Sequence, residues 1–233
     1  MKHIKILPVL LSVFLLTSCI DNDNIPVGVG DVLIVSKQMG TSTAYGISIY
    51  AYSLNSFESV KAVSQADPAK TYTLKANQGY KTNFYFELPE SEYTTTKPAA
   101  TTYDFTATFS DGSTQLFQDV LTDKALPLPI IEKCAYNTTI HALEIAWTLI
   151  DNASSYAINI LEGETLVFGT TELKPTNKTY SVRADGGGWA TGFTPQSGKT
   201  YTVKVFAYMY EAGGNSFNIQ STSVSEKTVV WGD

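Results

Sequence analysis

The sequence predicts an all-β chain, with two β-sandwiches in tandem behind a secretion signal and a short polar tether. Three observations carry this. Beyond residue 18 no stretch longer than about two turns keeps the apolar spacing of a helix. Short runs rich in Val, Ile, Thr, Tyr and Phe instead alternate apolar and polar residues, as strands with one buried face do. Turn clusters separate these runs, as in Ser110-Asp111-Gly112-Ser113, where Asp-Gly tolerates the positive φ of a tight hairpin.

The chain opens with the cationic stretch Met1-Lys2-His3-Ile4-Lys5 and passes at once into the apolar run Ile6 to Leu16. A bilayer-spanning helix needs ~20 apolar residues, so this run reads as a signal rather than a span. It ends in Leu16-Thr17-Ser18-Cys19, which resembles the lipobox of bacterial lipoproteins: a branched apolar residue, two small ones, then cysteine. The resemblance implies cleavage after residue 18 and a lipid on the Cys19 thiol, which would hold the mature chain to a membrane. Residues 19–29 are polar and without apolar periodicity, and read as a flexible acidic tether. Asp21 and Asp23 in it resemble the acidic export signal of lipoproteins that Bacteroidetes move to the cell surface. That resemblance implies an outer-membrane, surface-exposed protein.

Residues 30–124 are expected to form an immunoglobulin-like β-sandwich. Strands are read at Val32 to Lys37, Gly46 to Tyr52, Thr71 to Lys75, Thr82 to Leu88, Tyr103 to Phe109 and Gln115 to Leu121. The alternation is clearest in Tyr103-Asp104-Phe105-Thr106-Ala107-Thr108-Phe109. Lys124-Ala125-Leu126-Pro127-Leu128-Pro129 then breaks the pattern with two prolines, neither able to donate to a ladder, and is read as the boundary.

Beyond the boundary, Leu143, Ile145 and Trp147 share one face, as do Tyr156, Ile158 and Ile160, and later Tyr201, Val203, Val205 and Ala207. A proline-led first strand, a core tryptophan in the second and a core tyrosine in the third make residues 127–233 resemble a fibronectin type III domain. Phe193-Thr194-Pro195 and the strand opened by Tyr201 add its late hallmark. The resemblance implies a sandwich in which these residues are core, and says little of function.

Composition narrows the function. Cleavage at residue 18 removes Lys2 and Lys5 from the 16 basic residues and none of the 22 acidic ones, so the balance moves from −6 to −8. With lysines and arginines scattered singly, no basic patch for nucleic acid is expected. Cys134 is the one thiol beyond Cys19, so no intramolecular disulfide is expected, and stability must come from burial. His141 is the one imidazole of the mature chain, placed at a turn without an acid beside it, which leaves no His-based catalytic set. No metal site and no cofactor are expected. Gly198-Lys199-Thr200 lacks the upstream glycine and the helix of a phosphate loop. Glu162 with Glu164 and Glu90 with Glu92 read as turn solubilisers.

Two features point to binding. If Tyr201, Val203, Val205 and Ala207 face the core, then Phe206, Tyr208 and Tyr210 face outward and form a candidate binding strip. Trp189, in the glycine-dense stretch Gly186 to Gly192, is a candidate for stacking on a sugar or for capping the core. The chain therefore reads as a non-catalytic cell-envelope lipoprotein that binds or adheres to a protein or cell-surface partner. The alternative is a glycan-binding accessory of an outer-membrane polysaccharide uptake system. Exposed parallel aromatics with polar side chains between them would favour the glycan, and a flat patch or open strand edge would favour the protein.

Overall fold

The computed structural model describes residues 26–212 and 218–232. The signal, Cys19, the Asp21 and Asp23 pair and most of the hairpin loop after Glu211 lie outside the described residues. The rest is built of strands, with one short 3-10 turn at Glu90–Glu92. Among the described residues no helix is long and apolar enough to cross a membrane.

The first half comprises β1 (Gly28–Met39), β2 (Ser42–Ser53), β3 (Phe57–Ser64), β4 (Asp67–Asn77), β5 (Tyr80–Glu87), β6 (Thr101–Phe109) and β7 (Thr114–Leu121). Strand β1 begins inside the stretch expected to be tether: Gly28 pairs with Ser53 and Val29 with Tyr52. Gly28 and Val29, at the end of that stretch, are thus held by a ladder. The ladder order is β1-β2-β5-β4-β3-β6-β7, and β4 turns the corner of the sandwich, pairing with β3 through Leu74 and with β5 from Lys75. Strand β1 then lies against β7, where side chains take the place of a ladder. Gln115 Oε1 accepts the Gly28 N–H at 2.7 Å and Asp119 Oδ2 accepts the Val32 N–H at 2.6 Å. Inside sit Val32, Ile34, Ile49, Phe57, Val60, Phe105 and Phe109, all buried.

The second half comprises β8 (Ile131–Asn137), β9 (Ala142–Trp147), β10 (Ser155–Glu162), β11 (Thr165–Gly169), β12 (Thr179–Val182), β13 (Thr200–Tyr210) and β14 (Ile219–Val230). A three-stranded sheet, β12-β9-β8, packs on the ladder β11-β10-β13-β14, as in a fibronectin type III-like sandwich. Trp147, Tyr156 and Tyr201 are buried at its centre. The two tyrosine hydroxyls accept backbone N–H groups, that of Ile150 at 2.6 Å and that of Gln196 at 3.0 Å. The second bond is the backward reach expected of a tyrosine opening this strand.

The halves share one sheet. Strand β14 pairs in parallel with β1, Ile34 to Lys37 against Ser221 to Val224, so eleven strands run in one ladder order from β11 to β7. The preceding linker is pinned to the same seam, since the Leu126 N–H donates to Ser221 Oγ at 3.2 Å. Side-chain alternation then decides what each face does. Val32 and Ile34 on β1 enter the first core, and Val203, Val205 and Ala207 on β13 enter the second. Leu33, Val35, Phe206 and Tyr208, which alternate with them, point to the opposite face.

Candidate functional site

That opposite face is a groove of about 670 Å³ formed by β13, β14, β1, β2 and β5. Both halves build it. Lys204, Phe206 and Tyr208 come from β13, Thr222, Val224 and Glu226 from β14, Leu33, Val35 and Lys37 from β1, and Tyr50 and Tyr52 from β2. Phe206 and Tyr208 stack at 6.1 Å with planes within 10°. Across the seam Tyr50 and Tyr52 stack at 6.1 Å with planes within 6°, and Tyr85 of β5 continues the row at 6.4 Å from Tyr50. All five rings are half-buried. At one end Tyr93, from the loop after β5, lies over Gly46, where a Cβ would come within 2.5 Å of the ring. Only glycine leaves room for that wall.

Both lysines of the groove are held by glutamates, while Glu87, which also lines it, is in no ion pair among the described residues. Lys37 Nζ reaches Glu90 Oε1 at 2.6 Å and lies 3.9 Å over the Tyr93 ring. Lys204 Nζ is 3.5 Å from Glu226 Oε2. The hydrogen bond from Lys37, helped by the charges of Lys37 and Lys204, holds Glu90 below the usual carboxylate range. Glu90 is thus an ion-pair partner at the wall, not the plain turn solubiliser the sequence implies. Burial pushes the phenols up, Tyr50 furthest, and Tyr52 and Tyr208 to about 12. They are neutral hydrogen-bonding groups at physiological pH.

The sequence-derived candidates divide. Phe206 and Tyr208 line the groove. Tyr210 does not continue their row, because the ladder to β14 shifts register between Met209 and Tyr210. Its hydroxyl instead bonds Ser155 Oγ at 2.6 Å and donates to the Glu172 carboxylate, in a side depression of about 280 Å³ that shares Tyr208 with the groove. Trp189 is half-buried and does not line the groove. Its ring packs on Phe168 at 4.9 Å, Phe193 at 5.5 Å and Trp231 at 5.5 Å, and its indole N–H donates to the Arg183 carbonyl at 2.9 Å. Engaged this way, the ring packs against the second core.

The structure also assembles what the sequence left apart. Asp31 of β1, Asp119 of β7 and Glu211 just after β13 bring carboxylate oxygens within 4.8 Å of one another. A cation could use such a set of oxygens. No short-range motif announces it, since the three residues come from distant parts of the chain.

No family model matches the chain, and no curated protein matches it. Among solved structures it is similar to Tp47, the 47-kilodalton lipoprotein of Treponema pallidum, at 11% identity and a TM-score of 0.38. That match covers 86% of this chain and 50% of the other, so the chain spans half that protein's length. It is also similar to a two-domain fibronectin type III segment of chicken tenascin, at 12% identity and a TM-score of 0.28, covering 87% and 98%. A structure of a 1.5-MDa bacterial ice-binding adhesin gives 13% identity and a TM-score of 0.28, covering 88% and 65%. The fold assignment rests on the strand order and the two cores of the chain itself.

Proposed function

We propose that this chain is a non-catalytic binding module of the cell envelope and that the shared groove holds an extended, uncharged glycan. The observation that carries the reading is the row of near-parallel aromatic rings on both sides of the seam. Solvent-open rings leave apolar area in water at ~25 cal/mol per Å² unless something covers them, and flat rings suit sugar faces. The space falls within the ~300–1,000 Å³ typical of ligand sites. With Lys37 and Lys204 each held by a glutamate, the groove offers hydroxyls, amides, rings and the Glu87 carboxylate as recognising groups, which fits a neutral polyol better than an anion. A peptide added as a strand needs open backbone edges, and the groove strands spend theirs in ladders with one another. Glycoside cleavage needs two carboxylates beside an open substrate site. Of the three carboxylates that line the groove, Glu87, Glu90 and Glu226, the last two are engaged by Lys37 and Lys204, which supports a non-catalytic reading.

A protein partner is favoured by a different surface. Leu116 and Val120 on β7, the end strand of the shared ladder, are 75% and 54% exposed. That edge lies outside the groove, so the two readings separate by variant.

The test is affinity electrophoresis through gels holding soluble neutral polysaccharides, with bovine serum albumin as the unretarded reference. Retardation by at least one of them is expected, and the double variant Tyr50→Ser, Tyr208→Ser should lose it while keeping its melting temperature. Retardation unchanged in the double variant would place the site elsewhere.

The lipid anchor and surface display remain part of the same proposal. Cys19→Ala should release the protein from the membrane fraction or leave it uncleaved. Normal cleavage with full membrane retention would remove Cys19 from the account.

A further inference from the structure

We propose that Asp31, Asp119 and Glu211 form a proton-held fastener between the two sandwiches, so that the seam under the groove loosens when the trio loses its proton. The inference is independent of which ligand the groove takes.

The geometry puts the trio where such a device can act. Asp31 lies on β1, the strand that joins everything: it pairs with β2 along its whole length, with β14 over four residues, and with side chains of β7. Asp31 itself accepts the Ile219 N–H on both carboxylate oxygens at 3.2 Å, which ties the start of β14 to β1. Asp119 accepts the Val32 N–H from the β7 side. Glu211 closes the triangle from the end of β13. One carboxylate group from each of three strands or strand ends thus meets at the junction of both halves.

Among the described residues, what faces the trio is acidic or neutral. From β7 comes Asp119, from the end of β13 Glu211, from β2 the phenol of Tyr52, from β14 the backbone N–H of Ile219, and just before β14 the Asn218 amide, which donates to Glu211 at 3.5 Å. None of the three carboxylates is in an ion pair among the described residues. Like charges this close oppose full ionisation, so the cluster keeps a proton. Burial, then the charges of Asp119 and Glu211, working against the Ile219 N–H, raise Asp31 to about 8. Burial also raises Asp119, and burial followed by the charge of Asp119 raises Glu211.

The seam is poorly placed to withstand repulsion. Its ladder spans four registered pairs, and Ser36 and Ser223, paired with each other across it, are buried with hydroxyls that have no hydrogen-bond partner. Leu33 and Val35 on one side and Thr222 and Val224 on the other line the groove across this seam. Proton loss at the trio is therefore communicated to the groove through the β1–β14 pairing.

The sign follows from linkage. Unfolded Asp31 releases its proton near 3.8, and the folded chain holds it to about 8. Between these values the folded state carries one proton more, so its stability is fully present below the lower value and declines as pH rises to the upper one. Above that it levels off.

The experiment compares the full chain with Asp31→Asn, which keeps an acceptor for Ile219 but cannot ionise, by urea unfolding across this pH window. Relative to the variant, the unfolding constant of the unaltered chain should rise up to about tenfold per pH unit, as one linked proton requires. Hydrogen exchange, corrected for intrinsic rates, should show Ser221 to Val224 losing protection over the same window in the unaltered chain and keeping it in Asp31→Asn. If Asp31→Asn fails to fold, Glu211→Gln serves, with a partial flattening expected. Parallel pH profiles would overturn the proposal. So would stabilisation at high pH by millimolar calcium chloride that Asp31→Asn abolishes, because the trio would then be a cation site rather than a proton store.

Discussion

Replacing Trp147 by Ala is expected to cost about 3–5 kcal/mol, the range for removing a large aromatic side chain from a core. Trp147 is completely buried, lies between β9 and the opposing ladder, and its ring meets Tyr156 at 5.6 Å. Tyr156 in turn holds the Ile150 N–H, so collapse around the cavity would also disturb the turn before β10. The loss rivals a whole domain's margin of ~5–15 kcal/mol, and the second sandwich should melt far earlier. The indole N–H of Trp147 has no hydrogen-bond partner, a cost the folded chain already carries. Trp147→Phe should therefore lose much less than Trp147→Ala. Urea unfolding of both variants checks this, and an Ala variant with an unshifted midpoint would mean that β9 is in the wrong register.

The second large effect belongs to the first core. At Gly30 an added Cβ would come within 2.6 Å of the Phe105 ring, contacting three of its atoms under 3.0 Å. Phe105 cannot yield, being 1% exposed and stacked on Phe117 at 5.0 Å with planes within 14°. Gly30→Val must then push β1 away from β6 and β7, and overpacking of this kind costs about 1–3 kcal/mol or more. Because β1 also forms the seam, loss of protection at Ser221 to Val224 should accompany the loss of stability. Gly187→Ala is the control: nothing lies within 4 Å of its Cβ, and the change should stay within about 0.5 kcal/mol. A Gly30→Val chain as stable as this control would contradict the close packing of β1 on Phe105.

These effects also show what the sequence could reveal. Clean alternation marked β6, β9, β10 and β13, because each presents one face to a core and one elsewhere, so the residues read as inward there are the buried ones. Strand β3 escaped for a physical reason. A register shift between Phe57 and Ser59 puts Phe57 and Val60 on the same side with two residues between them, which hides the period of two. The β1–β14 seam pairs the first strand with the last, and nothing local in either signals the other. Half of the groove was therefore visible as Phe206 and Tyr208 alone. Their counterparts Tyr50 and Tyr52 alternate along β2 just as clearly, but only the seam reveals that the two rows share one face. Tyr210 misled because the bulge before it breaks the alternation that Phe206 and Tyr208 obey. Of the two readings of Trp189, packing on the core is the one the structure shows, through Phe168 and Trp231, which are distant in sequence.

One measurement addresses the shared groove most directly. Tyrosine rings carrying a carbon-13 label are followed by NMR while a polysaccharide that retards the chain is titrated in. Tyr50, Tyr52 and Tyr85 from the first half and Tyr208 from the second should shift together along a single saturation curve, with Tyr80, 67% exposed on β5, left unmoved. Shifts confined to one half, or led by Tyr80, would contradict a ligand site built by both sandwiches on one sheet.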